Sequence, residues 1–384
     1  MSGRCYTLWG TPHSLFAGKA RSYLLKKRVP FIELLASDQR FMNEIVPQVG
    51  HMVIPVVETP EGELIQDTTA IIDHIEARMA EPVLDPPGPV QQVVANFLDA
   101  FGSNYLMPAA MHYRWSYRAE QELFLRAEFA RAVPPQLPYD QRLAMAGAIM
   151  DKFNGFLPNL GVTDESAPAI EAAYEELLHV LEAHFRIYPY LLGGRPSRAD
   201  FGMIAPLYAH LARDPVPARL MRTCAPNVAR WTERMNVAEI ADCEYPQATG
   251  YPADDGIPET LEAVLRTAFE QWGPGIAADA ACLNAWIAGL TDAAPGTVVS
   301  LGGKRQVHPH VGRIEYDWRG IKLRRASHIH SLWQLQRAQD AARELTGDSA
   351  PRLAALIDRT GGTMVMELAT DRRIARENNV LVLA

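Results

Sequence analysis

Val53-Ile54-Pro55-Val56-Val57 is the stretch that decides the fold of this chain. A proline is costly inside an apolar strand because it has no N–H for the ladder, so Pro55 belongs at a strand start, an edge or a bulge. If the peptide bond before it is cis, the chain turns there and Ile54 presents its backbone N–H and C=O to a ligand. The stretch therefore predicts a bent strand against which a peptide-like ligand can pair.

A polar triplet, Gln66-Asp67-Thr68, follows this strand and opens a predicted helix over residues 69–78. Side-chain oxygens and unpaired N–H groups at a helix start form a site for a small carboxylate. Asp67 can also pair with an ammonium group of the same ligand. Together, the triplet and the bent strand predict a peptide-like ligand with an acidic end.

The rest of the N-terminal part alternates strands and helices. We predict a strand over 5–9, a loop over 10–13 and a helix over 15–27 with Ser14 at its N-cap. The order βαβα then ββα is completed by further elements over 29–35, 38–46, 53–57, 63–65 and 69–78. A proline-rich linker at 81–89 precedes apolar residues at helical spacing, which continue to about residue 235. The first two helices predicted there span residues 90–110 and 114–132.

These segments resemble the cytosolic glutathione S-transferase superfamily. Residues 14–21 resemble its active-site segment, residues 53–57 its cis-proline strand, and residues 67–72 the stretch that holds the γ-glutamyl end of glutathione. Residues 191–201 include Ser197 and Asp200 and resemble the N-capping motif of its all-helical domain, which we interpret as a structural element.

The resemblance implies an α+β thioredoxin-like domain over residues 1–82 and an all-α helical domain over 90–240. Residues 241–384 lie beyond the usual end of the family. We expect them to form a mostly helical C-terminal extension packed on the helical domain, with helices over 257–272 and 277–290 and a small β-hairpin over 313–323.

The resemblance also implies a glutathione S-transferase-like enzyme with glutathione as co-substrate. Ser14 is the expected catalytic residue, because a hydroxyl that donates to the sulfur near a helix start favours the thiolate. Glutathione is expected to bind at Ile54, Pro55, Gln66, Asp67 and Thr68.

Several alternatives stay open from the sequence. Tyr6, Thr11 and His13 are rivals of Ser14 for activating the thiol. No cysteine stands at the active position, which favours nucleophilic conjugation or thioether chemistry over mixed-disulfide chemistry. An aromatic and methionine stripe over 105–115 is suited to a planar apolar electrophile, although such stripes more often belong to a core. The alternative to an enzyme is a non-catalytic binding or scaffold protein that has kept the fold.

Composition is typical of a globular enzyme. The chain has 384 residues, 48% hydrophobic content and a net charge of -8, so nothing indicates nucleic-acid binding. No apolar run approaches the roughly 20 residues that span a bilayer. A strand predicted from residue 5 leaves no room for a signal peptide, and Cys5, Cys224, Cys243 and Cys282 are scattered. We therefore expect a cytoplasmic protein without a membrane partner, and the superfamily resemblance implies a detoxifying homodimer.

The extension contains two histidine pairs, at 308 and 310 and at 328 and 330, whose side chains could bind a metal ion. A proline interrupts the first pair and no carboxylate stands at a telling spacing. We therefore predict no metal site and interpret these histidines, like Arg324 and Arg325, as solvated side chains beside the hairpin.

Overall fold

The N-terminal part of the chain has the predicted thioredoxin-like layout. The computed structural model describes residues 5–239, 244–248 and 250–384; Cys243 and the boundary predicted between 240 and 241 lie outside them. The first elements are β1 (Tyr6–Gly10), α1 (Leu15–Lys26), β2 (Phe31–Leu35), α2 (Val46–Val49), β3 (Val56–Glu58), β4 (Leu64–Gln66) and α3 (Thr68–Glu76). A π-helical turn over Phe41–Ile45 leads into α2.

These strands form one mixed sheet in the order β2-β1-β3-β4. β1 and β2 are parallel because α1 returns the chain to the starting edge, whereas β3 and β4 are joined by a short turn and run antiparallel. One face buries Trp9, Phe41, Ile45 and Val56 in a common hydrophobic cluster. The α+β fold class predicted for this part is confirmed.

A run of helices follows the linker. Its members are α4 (Pro89–Tyr105), α5 (Met107–Trp115), α6 (Arg118–Ala130), α7 (Tyr139–Asn154), α8 (Ala167–Phe185), α9 (Arg198–Pro206), α10 (Pro215–Cys224) and α11 (Pro226–Met235). The single helix predicted over 90–110 is two helices that meet at Leu106. Pro108 explains the break, because proline cannot donate inside a helix but is tolerated in its first turn.

The C-terminal part is mostly helical, as predicted, with two small hairpins. It contains α12 (Glu259–Ala288), β5 (Arg313–Trp318), β6 (Ile321–Ala326), α13 (Ile329–Arg343), α14 (Ser349–Thr360), α15 (Thr363–Met366), β7 (Ile374–Glu377) and β8 (Val380–Leu383). The two helices predicted over 257–272 and 277–290 are one helix, α12, which continues through Pro274. The predicted hairpin is β5–β6, whose turn residues Arg319 and Gly320 both have positive φ.

Contacts divide the described residues into two compact units. Unit 1 takes its residues from 1–84, 110–157 and 204–241, and unit 2 takes the remaining segments, 85–109, 158–203 and 242–384. The three domains 1–82, 90–240 and 241–384 stay a prediction from the sequence. Within unit 2, Asn104 of α4 donates a hydrogen bond to Gln334 of α13, so the C-terminal part contacts the first long helix directly.

Helix packing in unit 2 depends on two glycines. Cβ atoms built on Gly102 of α4 and Gly202 of α9 would lie 2.6 Å and 2.4 Å from backbone atoms of the facing helix. Only glycine permits this close approach. In the described part of the chain, no helix has the length and apolar content needed to cross a membrane.

Candidate functional site

Three segments of unit 1 meet at one edge of the mixed sheet. Trp9 of β1 pairs with Val56 of β3, and Val56 pairs in turn with Gln66 of β4. Because both pairs are antiparallel, the end of β1, the start of β3 and the end of β4 lie at the same edge. Neighbouring strands are about 4.8 Å apart, so these three chain ends lie within roughly 10 Å of one another.

Ser14 lies at this edge and begins α1. Its Oγ accepts a hydrogen bond from the N–H of Ala17 at 3.3 Å, and its own N–H donates to the carbonyl oxygen of Thr11 at 3.2 Å. The side chain is half-buried. A serine hydroxyl that accepts from a helix N–H still carries its own hydrogen, so Ser14 can cap the helix and donate to a ligand at the same time.

Asp67 holds the start of α3 in an uncommon backbone conformation. Its φ is 81° and its ψ is 134°, a region that residues with a Cβ rarely adopt. The Oδ1 atom accepts from the N–H of Thr69 at 2.8 Å, which fixes the carboxylate over the helix start. Thr68 is buried and Gln66 is half-buried. Strain of this kind costs about 1–3 kcal/mol and concentrates at ligand-binding sites.

Ile54 and Pro55 occupy the same edge, directly before β3. The peptide bond between them is cis, and Pro55 is buried while Ile54 is half-buried. Among the residues that the structure describes, Ile54 takes part in none of the backbone hydrogen bonds of loops, turns and helix caps. The structure therefore brings Ser14, the Ile54–Pro55 pair and the triplet over 66–68 together.

The three rivals of Ser14 lie in different surroundings. Tyr6 is at the other end of β1, where burial and then Glu61 raise the pKa of its hydroxyl. His13 is buried, and its ring packs 4.3 Å from that of Phe129 between centroids. Burial, followed by the nearby arginines, lowers the pKa of His13 to about 3, so its imidazole is neutral at physiological pH. Thr11 is also buried.

Three arginines beside Ser14 were not predicted from the sequence. Arg21, Arg114 and Arg213 each donate a hydrogen bond to a backbone carbonyl in the loop over 11–13. Arg21 stands seven positions after Ser14, two helical turns along one face of α1, and this spacing is a signal that could have identified it. Arg114 and Arg213 are remote in sequence and carry no such signal.

The stripe predicted as a pocket for the electrophile is largely core in unit 1. Met111, His112, Tyr113 and Trp115 are all buried. The ring of Tyr113 stacks on that of Tyr117, with centroids 5.7 Å apart. This packing agrees with the alternative that such stripes usually belong to a hydrophobic core.

The basic and histidine-rich segment beside the first hairpin differs only in part from its predicted solvated state. Arg325 forms a two-pronged ion pair with the fully buried Asp279 at 2.8 Å for both bonds, whereas Arg324 is exposed. The ring of His328 contacts the Ser331 hydroxyl at 2.9 Å, and burial lowers the pKa of His328 well below its ordinary value. No group of three or more metal-ligating side chains occurs within the described ranges.

Two family comparisons cover the segments that form this edge and the helices α7 to α11. Residues 8–83 match the family described as glutathione S-transferase, N-terminal domain. Residues 133–239 match glutathione S-transferase, C-terminal domain. The chain belongs to the glutathione S-transferase superfamily. The superfamily match spans Ser14 and the whole Ile54–Thr68 region, and the long C-terminal part extends beyond it.

Several solved structures are similar to this chain at low identity. Glutathione transferase GSTFuA3 from Phanerochaete chrysosporium is 16% identical, with a TM-score of 0.43, over 63% of this chain and 100% of that one. FzlA from C. crescentus is 19% identical, with a TM-score of 0.38, over 65% and 97%. A glutathione S-transferase from Methylobacterium radiotolerans, in complex with glutathione sulfonate, is 19% identical, with a TM-score of 0.35, over 64% and 95%. No curated protein matched the chain.

Proposed function

We propose that this protein is a glutathione transferase that activates the glutathione thiol for attack on an apolar electrophile. The observation that carries the proposal is the pairing of Trp9, Val56 and Gln66, which gathers three chain segments at one sheet edge. A hydroxyl, a backbone segment and a carboxylate at a helix start then lie at this one edge. Superfamily membership supports the same ligand.

Each part of glutathione has a partner in this proposal. The backbone of Ile54 pairs with the cysteinyl unit, and Pro55 shapes the segment that presents it. The γ-glutamyl carboxylate lies at the start of α3 with Gln66 and Thr68, and its ammonium group pairs with Asp67. The strained backbone of Asp67 supports this role, because an unstrained glycine would serve if only the turn mattered.

Ser14 acts on the sulfur in the proposed reaction. Its hydroxyl donates a hydrogen bond to the thiolate, and the start of α1 adds a favourable dipole. The thiol proton passes to water. The sulfur electron pair then forms a carbon–sulfur bond with the electrophile, whose leaving group departs with the electrons of the broken bond.

Steady-state kinetics with glutathione and chlorodinitrobenzene test this role of Ser14. Ser14→Gly removes the hydroxyl but keeps an acceptable N-cap, at a cost to the helix of only a few tenths of a kcal/mol. We expect kcat to fall on the order of 100-fold while glutathione binding changes little. Ser14→Thr retains a hydroxyl and serves as the matched control. Unchanged turnover in Ser14→Gly would show that another group activates the sulfur.

On the superfamily relation we further propose a cytoplasmic, detoxifying homodimer that acts on small apolar electrophiles. The second candidate is a binding protein with the same fold and no turnover. Exposed apolar side chains on α6 and α7 favour it: Leu123 is 80% exposed, and Met145 and Phe153 are also exposed. Turnover by the wild-type protein in the assay above distinguishes the two.

A further inference from the structure

The loop that leads into Ser14 is held by three arginines at three consecutive backbone positions. The carbonyl oxygen of Thr11 accepts from Arg21 Nη2 at 3.3 Å, and that of Pro12 accepts from Arg213 Nη1 at 3.0 Å. The carbonyl oxygen of His13 accepts from Arg114 Nη1 at 3.2 Å. A surface loop usually leaves such oxygens to water. Here every carbonyl of the approach to Ser14 has a charged donor, which fixes the path of the backbone.

Each of these arginines is fixed in turn by a carboxylate. Arg21 forms a two-pronged pair with Glu33 at 2.6 Å and 2.5 Å, and Arg213 pairs with Glu128. Both pairs are partly exposed. The third pair, between Arg114 and Asp214, is buried, with side chains that are 3% and 0% exposed. Because solvent screens a buried pair least, the attraction between Arg114 and Asp214 is the least screened of the three.

Arg114 uses all five of its N–H donors. Besides the carbonyl of His13, it donates to both Asp214 oxygens at 2.6 Å and 2.8 Å, to the carbonyl of Ala209 at 2.9 Å and to Nε2 of His210 at 2.6 Å. A lysine has three donors on one nitrogen and cannot reproduce this planar fork.

His210 completes the arrangement as a neutral acceptor. Arginine always donates, so Nε2 of His210 must carry the lone pair, and its Nδ1 donates to the carbonyl of Ala110 at 3.1 Å. Burial, followed by the charge of Arg114, lowers the pKa of His210 well below its ordinary value. The group therefore stays fixed over the working pH range.

We infer that Arg114, held by Asp214, is the positioning residue that places the Ser14 hydroxyl against the glutathione sulfur. This inference rests on the proposed function. Arg114 contacts the loop one residue before Ser14 and lies outside the segments assigned to bind glutathione. Because a displacement of about 1 Å can cost on the order of 100-fold in rate, a small shift of this loop affects catalysis before it affects binding.

Arg114→Lys tests the inference, since it keeps the charge and removes the fork. We expect kcat with chlorodinitrobenzene to fall at least tenfold, the pKa of the bound glutathione thiol to rise, and glutathione affinity by calorimetry to change less than about threefold. The thiol pKa is read from the ultraviolet absorbance of the bound thiolate against pH. A merely structural role would lower the melting temperature without moving that pKa.

Arg325→Lys is the matched control. Arg325 forms the same kind of two-pronged pair with the buried Asp279, and both residues belong to unit 2, whereas the loop over 11–14 belongs to unit 1. We expect this variant to lose stability while the pKa of the bound thiol and kcat remain those of the wild type. An equal change in both variants would overturn the inference.

A double-mutant cycle with Ser14→Gly checks that Arg114 acts through Ser14. If it does, Arg114→Lys lowers kcat by less than about threefold once the hydroxyl is absent. Full additivity, or an unchanged thiol pKa in Arg114→Lys, overturns the inference. Should that variant fail to fold, the partly exposed Arg213→Lys carries the same test at Pro12. Failure of the proposed function is recognised separately, because the wild-type protein itself would then bind no glutathione at millimolar concentration.

Discussion

Asp200→Ala is the substitution whose effect on unit 2 follows most directly from the structure. The carboxylate is fully buried ahead of α9 and accepts three hydrogen bonds. They come from the N–H of Leu191 at 3.0 Å, the N–H of Ser197 at 2.9 Å and the hydroxyl of Ser197 at 3.2 Å. Alanine removes both carboxylate oxygens and leaves three buried donors, two N–H groups and the Ser197 hydroxyl, without these partners.

The expected loss can be worked out from these contacts. Each of the three buried donors left unsatisfied costs about 1–3 kcal/mol. Removal of a buried carboxylate also relieves its desolvation cost, so the lower end of the sum, about 3 kcal/mol, is the expected decrease in the free energy of unfolding. At about 2–4 °C per kcal/mol for a domain of 150–250 residues, the melting temperature falls by roughly 6–12 °C.

Scanning calorimetry of Asp200→Ala beside Ser197→Ala measures this effect. Ser197→Ala deletes only the hydroxyl bond and keeps the carboxylate, so we expect a loss of about 1 kcal/mol. A melting temperature for Asp200→Ala within about 2 °C of the wild type, or equal losses in the two variants, would refute the assignment of this carboxylate as the cap that organises α9.

Two further predictions concern packing and pH. Gly102→Ala brings a Cβ within 2.6 Å of the backbone of Gly202 and should lower the free energy of unfolding by about 1–3 kcal/mol. Gly155→Ala is the control, because its nearest contact is at 3.4 Å and its effect should be almost neutral. Equal denaturation midpoints for the two variants would count against the close helix contact. Burial lowers the pKa of His184 to about 4, below the value of about 6.5 in the unfolded chain. The unfolded state therefore takes up the proton first, and stability falls as the pH drops from about 6.5 to about 4, with a slope of up to about 1.4 kcal/mol per pH unit for this group. His184→Gln should flatten the decline in denaturation midpoint over this range, and an equally steep decline would contradict this assignment.

The sequence predicted the sheet edge well because local signals coincide there. Pro55 cannot pair inside a strand, Ser14 is a strong N-cap, and Asp67 precedes an apolar helical pattern, so each position was identifiable without knowledge of its neighbours. The first hairpin was equally visible, since Arg319-Gly320 separates two alternating strands.

Features that depend on contacts remote in sequence were missed. Arg114 was assigned to the start of a helix, and nothing near it indicates that it contacts the carbonyl of His13, about 100 positions earlier. The β7–β8 hairpin was also missed, although its turn residues Asn378 and Asn379 both have positive φ and asparagine tolerates that conformation. Pro274 led to a predicted break in α12, where tertiary packing evidently outweighs the local cost of proline.

Calorimetric titration of glutathione into the wild-type protein and Asp67→Gly tests the proposed docking most directly. Glycine accepts a φ of 81° without strain and remains an acceptable N-cap, so this variant should be at least as stable as the wild type. Loss of the carboxylate contact to the ligand ammonium group should weaken binding by about 10–100-fold, from the 1.5–3 kcal/mol typical of a charged hydrogen bond. Saturable binding by the wild type and weak binding by the stable variant is the predicted result. Absence of binding by the wild type at glutathione concentrations of several millimolar, or equal affinity in the two proteins, would contradict this result.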